Sequence, residues 1–211
     1  VMKRRVVILG KWSLAIRAAK WILENSNFEL SYIVPDIPEP TWTSSLSQWA
    51  LANSIPIVTS GHFKDLPQDV EVDLAISIFY GRILKQRFIE RCGYVINLHN
   101  GPLPKYRGVR PINWALKNGE NSHGVTIHKI TKGIDDGPIL GQVVYPIYPE
   151  IEEVEDVYLK ALEYGWLLFV DVMDKFDYSS AHATKQEGEA TYYSMKENAL
   201  LGDRGDFRRQ K

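Results

Sequence analysis

Val72-Asp-Leu-Ala-Ile-Ser-Ile78, then Ile83 to Arg91, then Tyr94-Val-Ile-Asn-Leu98 is the stretch that decides the fold. The first run is nearly continuous apolar, as a parallel strand covered on both faces must be. Ile83 to Arg91 reads as an amphipathic helix, and Tyr94 to Leu98 as the next strand. The pattern repeats upstream. Arg5-Val-Val-Ile-Leu-Gly10 predicts a strand, Trp12 to Leu23 a helix, and Phe28 to Val34 a strand stopped by the three prolines of Pro35-Asp-Ile-Pro-Glu-Pro40. Leu46 to Ala52 predicts a helix and Pro56-Ile-Val58 a short strand. Downstream, Val125 to Ile130 and Ile139 to Ile147 read as strands of a hairpin-like unit around the turn Gly133-Ile-Asp-Asp-Gly137, and Glu152 to Met173 as a closing helix. Short strands alternating with helices predict an α/β fold: a doubly wound, Rossmann-like, mostly parallel sheet with helices on both faces. We expect one domain over residues 2–178 and a polar tail over 179–211, whose end, Asp203-Arg-Gly-Asp-Phe-Arg-Arg-Gln-Lys211, should be exposed. The Arg-Gly-Asp triplet there carries little weight as an adhesion signal. Val1 ahead of Met2 reads as a remnant, with Met2 the expected natural start.

The chain has 211 residues, 45% of them hydrophobic, and a formal charge of −1. Such a balance gives no electrostatic case for nucleic acid or an anionic membrane surface as partner. One cysteine, Cys92, excludes an internal disulfide, and the sequence has no long apolar run and no signal peptide. A soluble, cytoplasmic protein is expected. No His, Cys, Asp or Glu spacing matches a metal motif, so no metal is expected. The turn Leu9-Gly10-Lys11-Trp12 is neither a dinucleotide fingerprint nor a phosphate loop, although backbone N–H groups at the next helix start suit a phosphate.

In a doubly wound sheet, ligands gather at the carboxyl ends of the strands. Two such ends are Ile78-Phe-Tyr-Gly81 and Asn97-Leu-His99. Asn97 and His99 lie two apart, so their side chains project to the same side. An amide there suits a developing oxyanion and an imidazole suits proton movement. The bland reading is a turn cap and a packed histidine. The following loop, Gly101-Pro-Leu-Pro-Lys-Tyr-Arg-Gly108, tips the balance, because Pro102 and Pro104 stiffen the backbone while Gly101 and Gly108 allow close approach. Asp135, between two glycines, either satisfies turn amides or orients an imidazole. His123 and His128 are competing imidazoles, expected to be structural or solvated. Trp12, Trp42, Tyr80 and Tyr192 fall in loop-like places where a ring can stack on a planar ligand.

Asn97-Leu-His99, the loop through Gly108, Arg110-Pro-Ile-Asn113 and Gly133-Ile-Asp-Asp-Gly137 together resemble the formyltransferases that use 10-formyltetrahydrofolate. The likeness covers Arg5 to about Ile147. It departs from the family pattern where Gly101 and Pro102 replace the usual Ser-Leu. The resemblance implies a catalytic set of Asn97, His99 and Asp135, with Asp135 raising the His99 pKa and keeping the ring cationic. It also implies a folate pocket of Phe79, Tyr80, Gly81, Arg82, Ile83 and Leu84, completed by Thr131, Lys132, Gly133 and Ile134.

Three branches of that family differ in the amine they formylate. The glycinamide ribonucleotide branch is similar to this chain in length, but its first turn is Gly-x-Gly-Ser-Asn, whereas here it is Gly10-Lys-Trp-Ser-Leu14. The methionyl-tRNA branch shares Arg110-Pro-Ile112 but carries a C-terminal RNA-binding domain and a basic surface, against which the length and net charge here weigh. The branch acting on nucleotide-linked 4-amino-deoxysugars, dTDP-linked ones favoured, as in lipopolysaccharide O-antigen biosynthesis, is the expected one. Its acceptor would meet Lys11, Trp12, Gly101, Pro102, Lys105, Arg107, Tyr192 and Tyr193, and the branch is often homodimeric. A non-catalytic folate- or nucleotide-binding protein and a formate-releasing hydrolase remain as other classes.

Overall fold

A computed structural model describes residues 2–178 and 182–201. The charged end from Asp203 to Lys211, with its Arg-Gly-Asp triplet, lies outside the described residues. The sheet has six strands, and two compact units divide the chain. One comprises the described residues of Val1–Leu98 with Lys129–Lys132; the other comprises those of His99–His128 with Gly133–Lys211.

The first unit runs β1 (Arg4–Gly10), α1 (Trp12–Glu24), β2 (Phe28–Pro35), α2 (Leu46–Ala52), β3 (Val72–Ile78), α3 (Gln86–Arg91) and β4, Cys92–His99, up to Leu98. Strands β2, β1, β3 and β4 pair in parallel, and Val6 to Leu9 of the central β1 are fully buried. Continuous apolar sequence follows from that burial on both faces. On one side Val7, Leu9, Val34, Phe63, Leu66 and Phe88 form an apolar cluster with Leu84 and Cys92. Burial pushes the Cys92 thiol up to about 12, which leaves it an inert core group. The β3 and α2 limits match the sequence reading, and Ser45 caps α2 by accepting from the Gln48 N–H at 3.1 Å.

Two expectations are corrected. The helix expected from Ile83 begins at Gln86, because the chain leaving β3 makes a left-handed turn at Phe79 (φ 53°) and places Ile83 outward and Leu84 inward before it coils. Pro56-Ile-Val58 is not a strand but a single bridge, Ile33 to Ile57, since Pro56 has no N–H to extend the ladder.

The second unit contains β5 (Arg107–Gly108), α4 (Pro111–Lys117), β6 (Ser122–Lys129) up to His128, β7 (Ile139–Pro146), α5 (Val154–Asp174) and β8 (Tyr192–Tyr193). β6 and β7 pair antiparallel, with a register shift between Ile127 and His128. α5 starts with a reciprocal cap in which Glu153 accepts from the Asp156 backbone and Asp156 accepts from the Glu153 N–H at 2.7 Å. It lies so close to β7 that a Cβ on Gly141 would stand 2.8 Å from Val172 and 2.9 Å from Leu168. Phe169 of the same helix is fully buried. No helix among the described residues is long and apolar enough to cross a membrane. Phe169→Ala should destabilise the protein by about 3–5 kcal/mol, seen as a lower urea midpoint at an unchanged slope.

Candidate active site

β4 carries apolar side chains as far as Leu98 and ends in His99, which is only 6% exposed. The turn after β6 brings the Asp135 carboxylate to this ring. Its Oδ2 stands 3.5 Å from His99 Nδ1 and accepts the Gly108 N–H at 2.9 Å, while its Oδ1 stands 3.5 Å from His128 Nε2. Asp135 itself adopts the left-handed conformation, φ 50°, which aspartate tolerates better than most residues. Between two glycines, the turn gives it that freedom.

Burial alone would raise the Asp135 pKa, but His99, His128 and the Gly108 N–H outweigh it and hold the carboxyl well below the usual carboxylate range. It is an anion at every working pH. On the other side of the His99 ring, Nε2 lies 2.7 Å from the Tyr106 carbonyl oxygen. Both ring partners are acceptors, so a ring that satisfies both carries two protons. Burial opposes that state and outweighs Asp135, so the His99 pKa is lowered below 6.5. The expectation that Asp135 raises it is thereby corrected: Asp135 does pull upward, but against a larger desolvation.

His128, expected to be structural or solvated, is buried and faces the carboxylate, with its ring 6.4 Å from that of His99. The register shift beside it re-aims the side chain, as bulges next to sites do. His123 lies within β6, fully buried, with Nε2 3.0 Å from the Asn100 carbonyl oxygen. It is structural, and not solvated.

The loop from Gly101 is locked by Thr126, whose hydroxyl donates to the Gly101 carbonyl at 2.7 Å and accepts from the Leu103 N–H at 3.2 Å and Gln142 Nε2 at 2.8 Å. Gly101 is required for the fit: a Cβ there would stand 2.9 Å from His99 Nε2. Gly101 thus lets the loop backbone lie close against the imidazole. Lys105 at the loop's tip is exposed.

The segment after α5 adds groups that the sequence reading missed. Thr184 and Ile139 exchange N–H···O bonds at 2.7 Å, and the Tyr106 N–H donates to the Thr191 hydroxyl at 2.7 Å. β8 pairs in parallel with β5, and Val109 donates to the Tyr193 carbonyl at 2.9 Å. Gly108 sits at φ 92°, and a Cβ on it would meet the Tyr193 oxygen at 2.1 Å. Tyr193, expected among the acceptor's contacts, stacks on Trp114 at 4.2 Å, with Tyr106 at 5.8 Å, and accepts from Asn118 through its hydroxyl. Its ring is a packing element. Tyr192 is half exposed. Arg107 is not free for a substrate, since its guanidinium donates to Gln186 Oε1 through Nε at 3.2 Å and Nη2 at 2.7 Å.

In the first unit, Asn97 is half-buried and in register with Ser77, two positions before His99. Lys11 pairs with Asp36 at 2.7 Å and lies over the Trp12 ring, and the Gly81 N–H donates to the same Asp36 oxygen at 3.1 Å. Trp12 packs with Trp42 and Phe79. The Tyr80 hydroxyl bridges the Gly61 carbonyl and the Phe63 N–H, and Leu84 is buried in the core, so both side chains are occupied locally. Arg82, Ile83 and Lys132 are exposed and Thr131 is half-buried. Gly133 and Ile134, in the second unit, are exposed. Among the described residues no three His, Cys, Asp or Glu side chains gather to hold a metal.

A buried imidazole–carboxylate pair at the carboxyl end of a strand in a mostly parallel sheet is the equipment of an α/β acyl-transfer protein. Within that class the chain belongs to the formyl transferase family, whose pattern residues 58–173 match. It is 30% identical over 198 residues to the methionyl-tRNA formyltransferase of Thermosipho africanus, covering 89% of this chain and 63% of that protein. It is 34% identical over 143 residues to the bifunctional polymyxin resistance protein ArnA of Wigglesworthia glossinidia brevipalpis, covering 64% and 21%. The chain thus spans under two thirds of the length of these curated relatives, so length does not separate the branches. Among solved structures it resembles the N-formyltransferase from Helicobacter canadensis in complex with folinic acid and dTDP-3-aminofucose, with TM-score 0.77, 27% identity, and 92% and 72% of the two chains covered. The sugar 3N-formyl transferase WlaRD, solved with dTDP and 5-N-formyl-THF, is similar at TM-score 0.75 and 27% identity, with 93% and 71% covered.

Burial lowers the His123 pKa from 6.5 to about 4. Between these values the unfolded chain binds the proton and the folded ring does not, so stability is full above pH 6.5 and falls as pH drops toward 4. Calorimetry should show Tm declining across that window. His123→Gln should flatten the decline by an amount corresponding to about 3 kcal/mol at its acid end.

Proposed function

We propose that the protein is an N-formyltransferase that moves a formyl group from 10-formyltetrahydrofolate to the primary amine of a nucleotide-linked amino-deoxysugar. The observation that carries the reading is the Asp135 carboxylate, buried against His99 at 3.5 Å and fixed by the Gly108 N–H. An anion and an imidazole so placed suit a reaction that builds negative charge on oxygen while a proton changes nitrogen.

In the proposed step the acceptor amine attacks the formyl carbon and the carbonyl oxygen becomes an oxyanion. Asn97 and His99 donate to it. The His99 Nε2–H, which meets the Tyr106 carbonyl at 2.7 Å, would prefer the more negative oxyanion, because hydrogen bonds to charged acceptors are stronger. Asp135 stabilises the imidazolium against the burial that disfavours it. The new C–N bond then holds, the bond from carbon to N10 breaks, and the proton leaving the attacking nitrogen ends on N10. Phe79, Gly81, Arg82 and Ile83, with Thr131 and Lys132, are our candidates for the folate, and Lys11, Trp12, Lys105 and Tyr192 for the acceptor.

The sugar-nucleotide acceptor is supported by the likeness to two solved sugar-type N-formyltransferases and by a net charge of −1, which gives no purchase on RNA. A methionyl-tRNA acceptor is the second reading, favoured by the names of the curated relatives. Incubating the protein with 10-formyltetrahydrofolate and, in turn, dTDP-linked 3-amino and 4-amino sugars, UDP-linked 4-amino sugars, glycinamide ribonucleotide and methionyl-tRNA separates these by mass of the formamide product. Formate release without an amine would instead mark a hydrolase. Asn97→Ala and His99→Ala should each lower turnover by about 10²–10³-fold with the Tm retained. Wild-type turnover in either variant would exclude the assigned roles.

A further inference from the structure

We infer that Gln186 is a positioning residue for the Asp135 carboxylate, so that part of the site is set by the segment after α5. The inference rests on the formyl-transfer reading of His99 and Asp135. The Gln186 amide donates to the Asp135 carbonyl and to the Gly137 carbonyl, both at 2.8 Å, and its oxygen accepts twice from Arg107. An amide side chain has two N–H donors and one oxygen with two lone pairs. All four are used here. One end of the clamp is the turn that carries Asp135; the other is Arg107, whose neighbour Gly108 supplies the N–H that holds Asp135 Oδ2. Gln186 therefore ties the backbone of the carboxylate to the strand that holds its oxygen.

The chemistry requires glutamine. Glutamate would turn two donors into acceptors facing two carbonyls at 2.8 Å, and asparagine is one carbon short of spanning from Arg107 to both. Methionine keeps the length and removes every hydrogen bond. Asp135 stands at φ 50° in a glycine-flanked turn, and the bonds from Gln186 to the Asp135 and Gly137 carbonyls hold that turn in one geometry. Without the clamp the turn is free to relax, and the carboxylate moves off His99. Displacements on the order of 1 Å near a reacting centre cost up to about 10²-fold in rate.

The test compares the full chain with Gln186→Met and Asp135→Asn. Turnover is measured with 10-formyltetrahydrofolate and dTDP-4-amino-4,6-dideoxyglucose, and the His99 ring is titrated by NMR of nitrogen-labelled histidine. Gln186→Met should lower kcat by about 10- to 100-fold at unchanged KM for both substrates. It should also move the His99 titration to lower pH, in the direction given by Asp135→Asn, because the imidazolium loses its counter-charge. A wild-type kcat in Gln186→Met overturns the inference. So does a loss that follows the fraction of unfolded protein while the His99 titration of the folded molecules stays at its wild-type position. If Gln186→Met does not fold, Gln186→Glu is read by kcat at unchanged KM under the same criteria. Wild-type turnover in Asp135→Asn would instead remove the formyl-transfer reading on which the inference stands.

Discussion

A carboxylate taken out of water must be answered by charge and by hydrogen-bond donors, or it protonates and the site loses its anion. Asp135 is the point where this chain meets that demand, and much of the second unit is arranged around it. His99 and His128 approach from the ends of two strands, and the Gly108 N–H arrives from a loop that starts two residues past His99 and is bolted to Thr126. Each of these groups needs its own support. The imidazole of His99 leans on the Tyr106 carbonyl, Tyr106 is fixed through its hydroxyl to Glu120 at 2.6 Å, and the Tyr106 N–H ends on Thr191. The satisfied groups form a continuous set, which is how a buried polar network holds one geometry.

The electrostatics follow from the same constraint. Burial lowers His99 and, acting alone, would raise Asp135, so the two groups pull against their surroundings in opposite senses. Their mutual attraction keeps the carboxylate ionised, while burial outweighs it at the ring and leaves the imidazole short of a stable second proton. A group whose charge is withheld until an oxyanion calls for it suits a catalyst that must donate in the transition state more strongly than in the ground state.

The sheet was largely legible in the residues. Continuous apolar runs marked Val72 to Ile78 as a central strand, and the apolar face of Leu46 to Ala52 marked a helix whose limits hold. Asn97, His99 and Asp135 stood out because strand ends and glycine-flanked turns leave a pattern. His128 did not, since alternation along a strand says which side a residue faces and not that a register shift turns it toward a carboxylate 7 residues later. The His99 pKa was misjudged because a neighbouring acid is visible in sequence and the depth of burial is not. Gln186 left no signal at all: a glutamine bonding backbone carbonyls 49 and 51 residues away has no spacing or composition to betray it. Tyr193 was counted among the acceptor's contacts, when its faces belong to Trp114 and Tyr106.

The pairing of β5 with β8 also sets an order in time. A chain leaves the ribosome N-terminus first, so His99, the Gly108 N–H and Asp135 are all made before Thr191 and Tyr193, which hold their loop, have been joined to it. A nascent chain that stops short of Tyr193 already holds the His99–Asp135 pair but lacks the strand pairing that braces the loop of Gly108. The pairing of β5 with β8 can form only once residue 193 has been added, whatever is already in place upstream.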